Sequence, residues 1–374
     1  MMAMNAALLV APGESLVLTT VNLDGPLPDE VVVRTECVGL CHSDLHYADG
    51  SLSIDMPALL GHEVSGVVEL VGSAVTRLAP GDHVVATITP SCGICRYCVA
   101  GRPAQCTRVA EVRARPRPRV TLPGGTPVAI LGGIGAFAEA FLAREGALAL
   151  VPPDVPAQVS CLLGCCVTTG VGAIVHGARV TSQDTVAVIG CGGVGISAIQ
   201  GARLAGARRI IAIDVHPTKL EVARTFGATD AILATADSSL TVAQLMALVP
   251  GGVSHAIEAV GRPQTASLAF DLLAPGGTAT ILGLMPEGQT LEISADALVY
   301  GDRRIQGAYM GANRFLNDVD MFVDHYRSQR LDLDRMVTAV IPFAQLNEGM
   351  KAMANPNTVR IVLDMGAGQP ARPA

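Results

Sequence analysis

The stretch that most constrains the fold of this chain is residues 185–214, TVAVIGCGGVGISAIQGARLAGARRIIAID. It begins as an apolar run with β-branched residues and passes through the turn GCGGVG into an alanine-rich stretch. It then ends in a second apolar run that is closed by Asp214. A strand, a turn, a helix and a second strand in this order form a βαβ unit. The pattern therefore predicts a parallel sheet with a phosphate-binding turn at its first strand-to-helix junction.

The glycines of this turn have separate roles in such a unit. Gly190 permits the tight turn, Gly192 lets the backbone approach a pyrophosphate, and Gly195 lets the helix pack closely on the strand. The helix N-terminus then faces the anion. Asp214 stands where a carboxylate accepts hydrogen bonds from the adenosine ribose and repels a 2′-phosphate, which favours NAD over NADP. The alternative, an ordinary βαβ core with a glycine-rich turn, does not account for Asp214.

Length and composition limit the remaining possibilities. The chain has 374 residues, which predicts about two domains, and it is 50% hydrophobic and 16% charged, which is typical of a globular protein with an ample core. A net charge of −7 argues against non-specific binding to nucleic acid or to anionic membranes. The N-terminus lacks the basic segment of a signal peptide, and the apolar window 155–175 is interrupted by Pro156 and several glycines. We therefore expect a cytoplasmic protein that does not enter a membrane.

Four of the ten cysteines lie close together, in the pattern Cys92-x2-Cys95-x2-Cys98-x7-Cys106. In a reducing compartment such a cluster indicates metal binding and not disulfides. Four thiolates can complete a tetrahedral shell and leave no position for water, which is typical of a structural zinc.

A second set of metal-binding residue types lies earlier in the chain. Cys41-His42-Ser43-Asp44-Leu45-His46 is followed by Gly61-His62-Glu63. Cys41 and His62 could supply two of the three protein ligands that a catalytic zinc with an open position requires. The best candidate for the third ligand lies in Leu163-Gly164-Cys165-Cys166, just before the βαβ unit.

Other stretches are less informative. Residues 6–40 alternate apolar and polar residues between Pro and Gly, which predicts the short strands of a β-rich lobe. Residues 251–284 resemble later strands of the parallel sheet, with Gly276-Gly277 in a turn. The basic stretch 108–119, RVAEVRARPRPR, contains prolines that oppose helix formation. We interpret it as a solvated loop, with an anionic-substrate site as the alternative.

The order of these motifs, GHE, then CxxCxxCx7C, then GC before GxGGVG, resembles the zinc-dependent medium-chain alcohol dehydrogenases of the medium-chain dehydrogenase/reductase superfamily. The resemblance extends from about residue 6 to about residue 365. It implies an α/β fold, in which a GroES-like β-rich catalytic domain carries an inserted Rossmann domain with a doubly wound parallel sheet. The expected segments are catalytic residues 1–166 with the structural-zinc lobe, the NAD-binding domain 167–309, and the C-terminal catalytic part 310–374.

The resemblance also implies a role for individual residues. It identifies Cys41, His62 and Cys165 as catalytic zinc ligands. By the same resemblance, Glu63 matches the acidic neighbour of that metal. Asp44 matches the carboxylate that orients His62. Ser43 and His46 match a relay that carries the hydroxyl proton to solvent. The residues expected at the cofactor are His42, Thr169, Gly190, Gly192, Gly193, Val194, Gly195, Asp214, Lys219 and Arg360.

The activity implied by the resemblance is hydride transfer between a primary alcohol or aldehyde and NAD, with two zinc ions per chain and a homodimer or homotetramer as the assembly. Leu52, Ile88, Leu131 and Gly132 match pocket positions and predict a fairly open apolar pocket for medium-chain or aromatic alcohols. Two alternatives in the same fold are a thiol-adduct (S-hydroxymethyl-thiol, formaldehyde) dehydrogenase and a nicotinoprotein with permanently held NAD. A third, of another class, is a non-catalytic or biosynthetic homologue, which we expect to lack a zinc ligand or a relay residue. This chain lacks none of them.

Overall fold

The computed structural model describes residues 1–366, which form three β-sheets with helices around them. The end of the predicted C-terminal segment, residues 367–374, lies outside the described residues. In chain order the strands are β1 (Met2–Leu9), β2 (Val17–Leu23), β3 (Glu30–Gly39), β4 (Ala58–Leu59), β5 (Glu63–Val71), β6 (His83–Ala86), β7 (Val120–Thr121), β8 (Ala129–Ile130), β9 (Ala140–Arg144), β10 (Leu148–Leu150), β11 (Thr185–Ile189), β12 (Arg209–Asp214), β13 (Asp230–Leu233), β14 (Val253–Glu258), β15 (Leu273–Ile281), β16 (Arg304–Gly307), β17 (Val337–Pro342) and β18 (Arg360–Asp364).

The α-helices are short and mostly follow strands. They are α1 (His42–Ala48), α2 (Arg96–Val99), α3 (Val109–Arg113), α4 (Ala157–Ser160), α5 (Cys166–Gly172), α6 (Gly193–Leu204), α7 (Pro217–Thr225), α8 (Ser238–Leu248), α9 (Pro263–Asp271), α10 (Ala295–Tyr300), α11 (Phe315–Arg327) and α12 (Leu346–Ala352). A π-helical turn covers Ala173–Ala178, and 3₁₀ turns cover Pro103–Gln105, Leu131–Gly133, Glu145–Ala147, Cys161–Gly164, Tyr309–Ala312, Asp334–Met336 and Phe343–Gln345.

The βαβ unit predicted from the sequence is at the centre of a parallel sheet with the order β13-β12-β11-β14-β15-β16. Successive side chains of a strand point to opposite faces of its sheet. In β11, Val186 and Val188 belong to one apolar cluster with residues of α6 and α7, whereas Ala187 and Ile189 belong to another with residues of α8 and α9. Helices therefore cover both faces, and the predicted doubly wound sheet is confirmed.

The two ends of the chain meet in the β-rich part of the molecule. One sheet has the order β7-β2-β1-β4-β8, and the other has the order β10-β6-β5-β3-β18-β17, with β9 also pairing with β3. Because β18 pairs antiparallel with β3, the C-terminal segment returns to the sheet that the N-terminal segment begins. This arrangement confirms the GroES-like domain with an inserted Rossmann domain. The exact domain boundaries stay a prediction.

Two local predictions were wrong. Gly276-Gly277 does not end β15: the two glycines lie between Leu273 and Thr278, where the pairing with β14 shifts its register, and Gly276 has a φ of +77°. A glycine with positive φ thus forms an irregularity within the strand and does not end it. The basic stretch also contains a helix, α3, since its prolines, Pro116 and Pro118, come only after the helix has ended.

Within residues 1–366, none of the individual helices has both the length and the apolar composition needed to cross a membrane. Two successive segments, Ala157–Gly164 and Cys166–Ala178, meet both criteria when they are taken together, but they bend by 53° where they join. Their side chains are mostly buried inside the protein.

Candidate active site

Three buried side chains from distant parts of the chain form a central cluster, which we define as Cys41, His62 and Cys165. Cys41 follows β3 and precedes α1, His62 precedes β5, and Cys165 precedes α5. Their ligand atoms all lie within 4.8 Å of one another, and the two sulfur atoms are 3.9 Å apart. A hydrogen bond between the Cys41 and Cys165 sulfur atoms lowers the pKa of Cys41. Two thiolates on one tetrahedral zinc stand about 3.8 Å apart, so the donor set fits this metal.

Asp44 is fully buried and contacts the central cluster at His62. Its Oδ1 lies 3.1 Å from His62 Nδ1, and its oxygens also accept hydrogen bonds from the backbone N–H groups of Cys41 and Gly61, at 3.2 and 3.0 Å. Since Nδ1 of His62 is engaged by Asp44, Nε2 is the nitrogen left for a metal. A carboxylate that fixes the ring in this way is the usual partner of a metal-binding histidine.

Glu63 and Arg360 form a buried ion pair beside the cluster, with Glu63 Oε1 and Arg360 Nε 3.0 Å apart. Glu63 also accepts a hydrogen bond from the Cys166 backbone at 3.0 Å. Burial raises the pKa of Glu63 to about 7, although the positive charge of Arg360 opposes the shift. A β-carbon on Gly193 would lie 2.7 Å from the Arg360 guanidinium, so this arginine packs directly against the glycine-rich turn. Arg360 therefore joins the surroundings of the central cluster to the predicted cofactor turn.

The glycine-rich turn has the geometry expected of a dinucleotide site. Gly190 adopts a φ of +90°, and a β-carbon on Gly195 would lie 1.8 Å from the Gly190 carbonyl oxygen. No side chain can replace hydrogen at Gly195 without separating α6 from β11. Asp214 accepts hydrogen bonds from the backbone N–H groups of Cys191 and His216, at 2.8 and 3.0 Å, which fixes its carboxylate at the end of β12.

Other predicted cofactor residues lie around this turn. Val194 is on the first turn of α6, and Lys219 is on α7, which follows β12. Partial burial, together with the charges of Arg360, Lys219 and His46, lowers the pKa of His42, and the Cys41 thiolate opposes this shift. The charges of Lys219 and Arg360 therefore act on His42, and a shared role of the three residues at the cofactor stays a prediction.

The predicted relay residues lie on α1. Ser43 Oγ is 3.7 Å from Cys41 Sγ, which places the hydroxyl at the edge of the central cluster. His46 is three residues further along the same helix and is half-buried. Residues three apart lie on the same face of a helix. The backbone carbonyl of His46 accepts a hydrogen bond from Leu52, one of the predicted pocket residues.

The four cysteines of the predicted structural site, Cys92, Cys95, Cys98 and Cys106, form a half-buried peripheral cluster whose sulfur atoms also lie within 4.8 Å of one another. The sulfur atoms of Cys95 and Cys98 are 3.5 Å apart, and all ten cysteines are free thiols. Backbone N–H groups point at the sulfurs: Cys95 donates to Cys92, and both Cys92 and Arg108 donate to Cys106. Bonds of this kind from Cys98 and Thr107 lower the pKa of Cys95 to about 5. Burial and the hydrogen bond with Cys95 instead raise the pKa of Cys98 to about 12, so within the cluster Cys95 is the thiol that most favours the thiolate a metal requires.

Met310 was missed by the sequence analysis. Its side chain is 7% exposed and packs with Cys41, Cys165 and Ile88 in one apolar cluster. Thr169 Oγ1, which was predicted to lie at the nicotinamide, is 3.6 Å from the Met310 sulfur. Met310 has a φ of +47°, which is unusual for a residue with a side chain. Its neighbour Gly311 was the available sequence signal, but nothing in the pattern linked it to residues 41 and 165.

The interpretation of the basic stretch as a solvated loop was wrong for part of its length. Arg117 is 65% exposed, but the side chains of Arg115 and Arg119 are only 3% and 12% exposed. Both are ion-paired with Glu30, which is fully buried. The buried carboxylate at the start of β3 draws these arginines inward, and a local sequence pattern does not reveal such a distant partner.

Two of the predicted pocket residues, Ile88 and Gly132, lie together beside the central cluster. A β-carbon on Gly132 would lie 2.4 Å from the Ile88 side chain. Leu131 is buried in the core of the β-rich domain. Ile88 and Leu131 are thus apolar side chains near the cluster, and their role in a substrate pocket stays a prediction.

Comparison with known proteins agrees with this geometry. Residues 27–153 match the model of the alcohol dehydrogenase GroES-like domain, and residues 193–324 match that of the zinc-binding dehydrogenases. The chain is 33% identical to an NDMA-dependent alcohol dehydrogenase of Amycolatopsis methanolica, over 97% of this chain and 99% of that protein. It is also 33% identical to an S-(hydroxymethyl)glutathione dehydrogenase of Photobacterium damsela subsp. piscicida, over 97% of this chain and all of that protein.

A solved structure has the same architecture. The crystal structure of benzyl alcohol dehydrogenase from Acinetobacter calcoaceticus is 30% identical in sequence and aligns with a TM-score of 0.89, over 98% of this chain and all of the other. Likeness of this extent, together with the two matched domains and the central cluster, establishes the family. The chain belongs to the zinc-dependent medium-chain dehydrogenases, as an alcohol dehydrogenase that uses zinc and a nicotinamide cofactor.

Proposed function

We propose that this protein transfers a hydride between a medium-chain or aromatic primary alcohol, or the corresponding aldehyde, and NAD. The observation that carries the proposal is the position of the central cluster. It has three buried ligands, which leave one position of a tetrahedral metal open, and Arg360 connects its surroundings to the glycine-rich turn. A substrate at the open position and a dinucleotide on the turn would therefore lie side by side.

In this proposal Cys41, His62 and Cys165 hold the catalytic zinc, and the peripheral cluster holds a second, structural zinc. The catalytic zinc would lower the pKa of a coordinated alcohol or polarise an aldehyde carbonyl. Asp44 orients His62. Glu63, held between Arg360 and the Cys166 backbone, lies beside the central cluster and could take the place of a ligand that leaves the metal.

Ser43 and His46 move the proton. The Ser43 hydroxyl lies at the edge of the cluster, where it can accept the proton of the alcohol, and His46 on the same face of α1 can pass that proton on towards solvent. Nicotinamide supplies the hydride acceptor when bound. Thr169 and Val194 line its position, Lys219 and Arg360 supply positive charge around the phosphates and the ribose, and the His42 ring can donate a hydrogen bond there.

We infer that NAD is preferred to NADP because the Asp214 carboxylate stands at the end of β12, where both backbone hydrogen bonds hold it in place. Asp214→Gly should weaken NAD binding and relieve the exclusion of NADP. Steady-state kinetics with both cofactors would test this, with Asp230→Asn, at the start of the neighbouring strand β13, as a control. If the ratio of kcat/KM for the two cofactors were the same in Asp214→Gly and wild type, Asp214 would not be the discriminating residue.

The apolar surroundings of the cluster, Ile88 and Met310, support an aryl or longer alkyl alcohol as substrate. The likeness to a benzyl alcohol dehydrogenase supports the same choice. The relative named S-(hydroxymethyl)glutathione dehydrogenase and the NDMA-dependent relative keep two alternatives open for this chain, a thiol adduct as substrate and a permanently held NAD.

Subunit pairing is part of the proposal. β16 is the outer strand of the parallel sheet, and α10 just before it exposes Val299 and Tyr300 by 71% and 88%. Apolar side chains beside an open sheet edge support association through this edge into a homodimer or homotetramer. Sedimentation of the wild type and of Tyr300→Ser would test the assignment.

The central experiment measures metal content per chain together with alcohol-dependent NADH formation. We expect two zinc ions per chain and turnover of benzyl alcohol with added NAD. The same assay with formaldehyde, with and without a thiol, tests the first alternative, and the absorbance of bound nucleotide in the purified protein tests the second. Zinc-loaded protein that binds NAD but oxidises no alcohol in any arm would contradict the proposed activity.

A further inference from the structure

A cavity of about 460 Å³ opens beside the GroES-like domain, between the end of α3 and the turn Leu131–Gly133. Cavities of this size accommodate small organic ligands. Its walls carry arginine side chains on one side and a small apolar surface on the other. The residues that define it are Arg113, Arg115, Arg117, Arg119, Ile130 and Gly132.

The arginines of this cavity outnumber the carboxylates that pair with them. Arg115 lies 3.3 Å from Asp24 and 3.0 Å from Glu30, Arg117 lies 3.3 Å from Asp24, and Arg119 lies 3.6 Å from Glu30. Two carboxylates thus face four guanidinium groups, because Arg113 has no carboxylate partner among residues 1–366. The cavity wall has an excess of positive charge.

Part of this charge is removed from water. Arg119 is largely buried, and burial lowers its pKa below the ordinary arginine value; Glu30 opposes the shift, and Arg115 and Arg113 add to it. The Nε atoms of Arg113 and Arg119 are buried and have no hydrogen-bond partner in the part of the chain that the structure describes. Buried charges that repel one another and keep unused donors are stabilised when an anion joins them.

The cavity also adjoins the catalytic side of the molecule. The Arg113 guanidinium donates to the carbonyl of Ile88, and the Ile88 side chain contacts the Gly132 backbone and packs with Cys41, Cys165 and Met310. Ile88 and Gly132 therefore place the cavity directly next to the central cluster.

We propose that this cavity is a binding site for an oxyanion group, a carboxylate or a phosphate. Guanidinium groups recognise both anions through paired hydrogen bonds. The anion could be the far end of the alcohol or aldehyde substrate, an assignment that rests on the proposed function, or a separate small anion that does not react. Arg113 and Arg117 supply the charge that binds it, while Arg115 and Arg119 are held in place by Glu30.

The first test measures binding without turnover. Line broadening of the proton signals of benzoate and of the phosphorus signal of inorganic phosphate would be titrated with zinc-loaded wild type, Arg113→Gln, Arg117→Gln, Arg117→Lys and the control Arg224→Gln. Arg224 is an exposed arginine on α7 with a weak 3.9 Å pair. We expect each Gln variant to weaken binding about tenfold, as the loss of one charge-assisted hydrogen bond predicts, and the Lys variant to bind better than the Gln variant.

Arg117 is mostly exposed, so its variants are expected to fold, and circular dichroism checks this. Failure of both probes to bind the wild type at millimolar concentration would overturn the proposal. So would binding that is equally strong in wild type and both Gln variants, because the probe would then occupy another site.

The second test identifies the source of the anion. The ratio of kcat/KM for 4-(hydroxymethyl)benzoate to that for benzyl alcohol would be measured in the wild type, Arg117→Gln and Arg224→Gln. A fall of about tenfold in this ratio for Arg117→Gln alone assigns the site to the substrate. An unchanged ratio, with binding of the probes lost, assigns it to a separate anion. A lack of turnover with either alcohol would contradict the proposed function and leave the binding result standing.

Discussion

The two cysteine clusters use the same chemical groups but are built in different ways. The peripheral cluster takes all four sulfurs from one stretch of 15 residues, Cys92–Cys106. The central cluster joins Cys41 to Cys165, which are 124 residues apart in sequence, and adds His62 between them. The first cluster is half-exposed and the second is buried.

The groups that hold the two clusters in place also differ: local groups hold the peripheral cluster, and a buried side chain holds the central cluster. Backbone N–H groups of the loop itself, from Cys92, Cys95 and Arg108, point at the peripheral sulfurs. The central cluster is instead supported by the buried Asp44 side chain, which holds the His62 ring and accepts hydrogen bonds from the backbone of Cys41 and Gly61. The comparison teaches that a closed local set can stabilise a loop. An open set assembled by the whole fold can hold a metal that still has room for a substrate.

The largest effect should come from the central cluster. Cys165→Ser removes one of three proposed ligands, and because metal electrostatics contribute several kcal/mol to such reactions, kcat/KM should fall by roughly 10⁴-fold. Stopped-flow assays and metal analysis would measure this. Cys161→Ser, a buried thiol outside both clusters, is the matched control. Turnover retained in Cys165→Ser would show that the central cluster is not the reaction centre.

The next largest effect should come from the peripheral cluster, on stability. Cys98→Ser should lower the free energy of unfolding by several kcal/mol, because a structural zinc contributes its binding energy to folding. Denaturant unfolding of Cys98→Ser and Cys165→Ser, with and without a chelator, would separate the two clusters. A Cys98→Ser protein that stayed fully stable and lost only turnover would reverse the roles assigned to them.

The same contrast explains what the sequence could predict. The peripheral cluster follows from spacing alone because its ligands are neighbours in the chain. For the central cluster the residue types indicated Cys41 and His62, but the third ligand was assigned to Cys165 only through the family resemblance. The structure then brings the three together. The βαβ unit was predictable because the apolar, β-branched run that becomes β11 and the glycines of the turn are both local properties.

The sequence failed where a residue's environment is set by a distant partner. Arg115 and Arg119 are buried because they pair with Glu30, which is distant from them in the sequence. Met310 reaches the central cluster because three successive residues, 310–312, adopt positive φ. Composition and periodicity do not encode either event.

A smaller effect is expected from Asp44, the side chain that holds the central cluster in place. Asp44→Asn keeps the shape of the side chain but removes the charge that faces His62 Nδ1, so the zinc affinity of the central cluster should fall about 10- to 100-fold. The affinity of the peripheral cluster should not change, since Asp44 does not contact it. Competition with a fluorescent chelator should resolve two classes of zinc in the wild type and show that only one is weakened. Equal weakening of both would mean that the variant perturbs the whole domain.

The smallest effect concerns the release of the alcohol proton to solvent. Only the central cluster, as the proposed reaction centre, requires such a path. His46 lies one helical turn beyond Ser43 on α1 and is half-buried, so it can pass a proton between the cluster and solvent without contacting the metal ligands. His46→Gln should slow alcohol oxidation by about tenfold or less. Water can accept the proton in place of the imidazole, but less efficiently. The rate would be measured with and without added imidazole.

The control for this last variant is Ser43→Ala. The Ser43 hydroxyl is 3.7 Å from Cys41 Sγ, at the edge of the buried cluster, so its loss removes the first proton acceptor beside the substrate, and an external base cannot take that place. We therefore expect a larger loss of rate in Ser43→Ala that imidazole does not restore, and a partial recovery in His46→Gln. Both variants should keep two zinc ions, because neither side chain is a ligand. If His46→Gln oxidised alcohol at the wild-type rate, or if imidazole rescued Ser43→Ala as well, the proton would have to leave the central cluster by a different path.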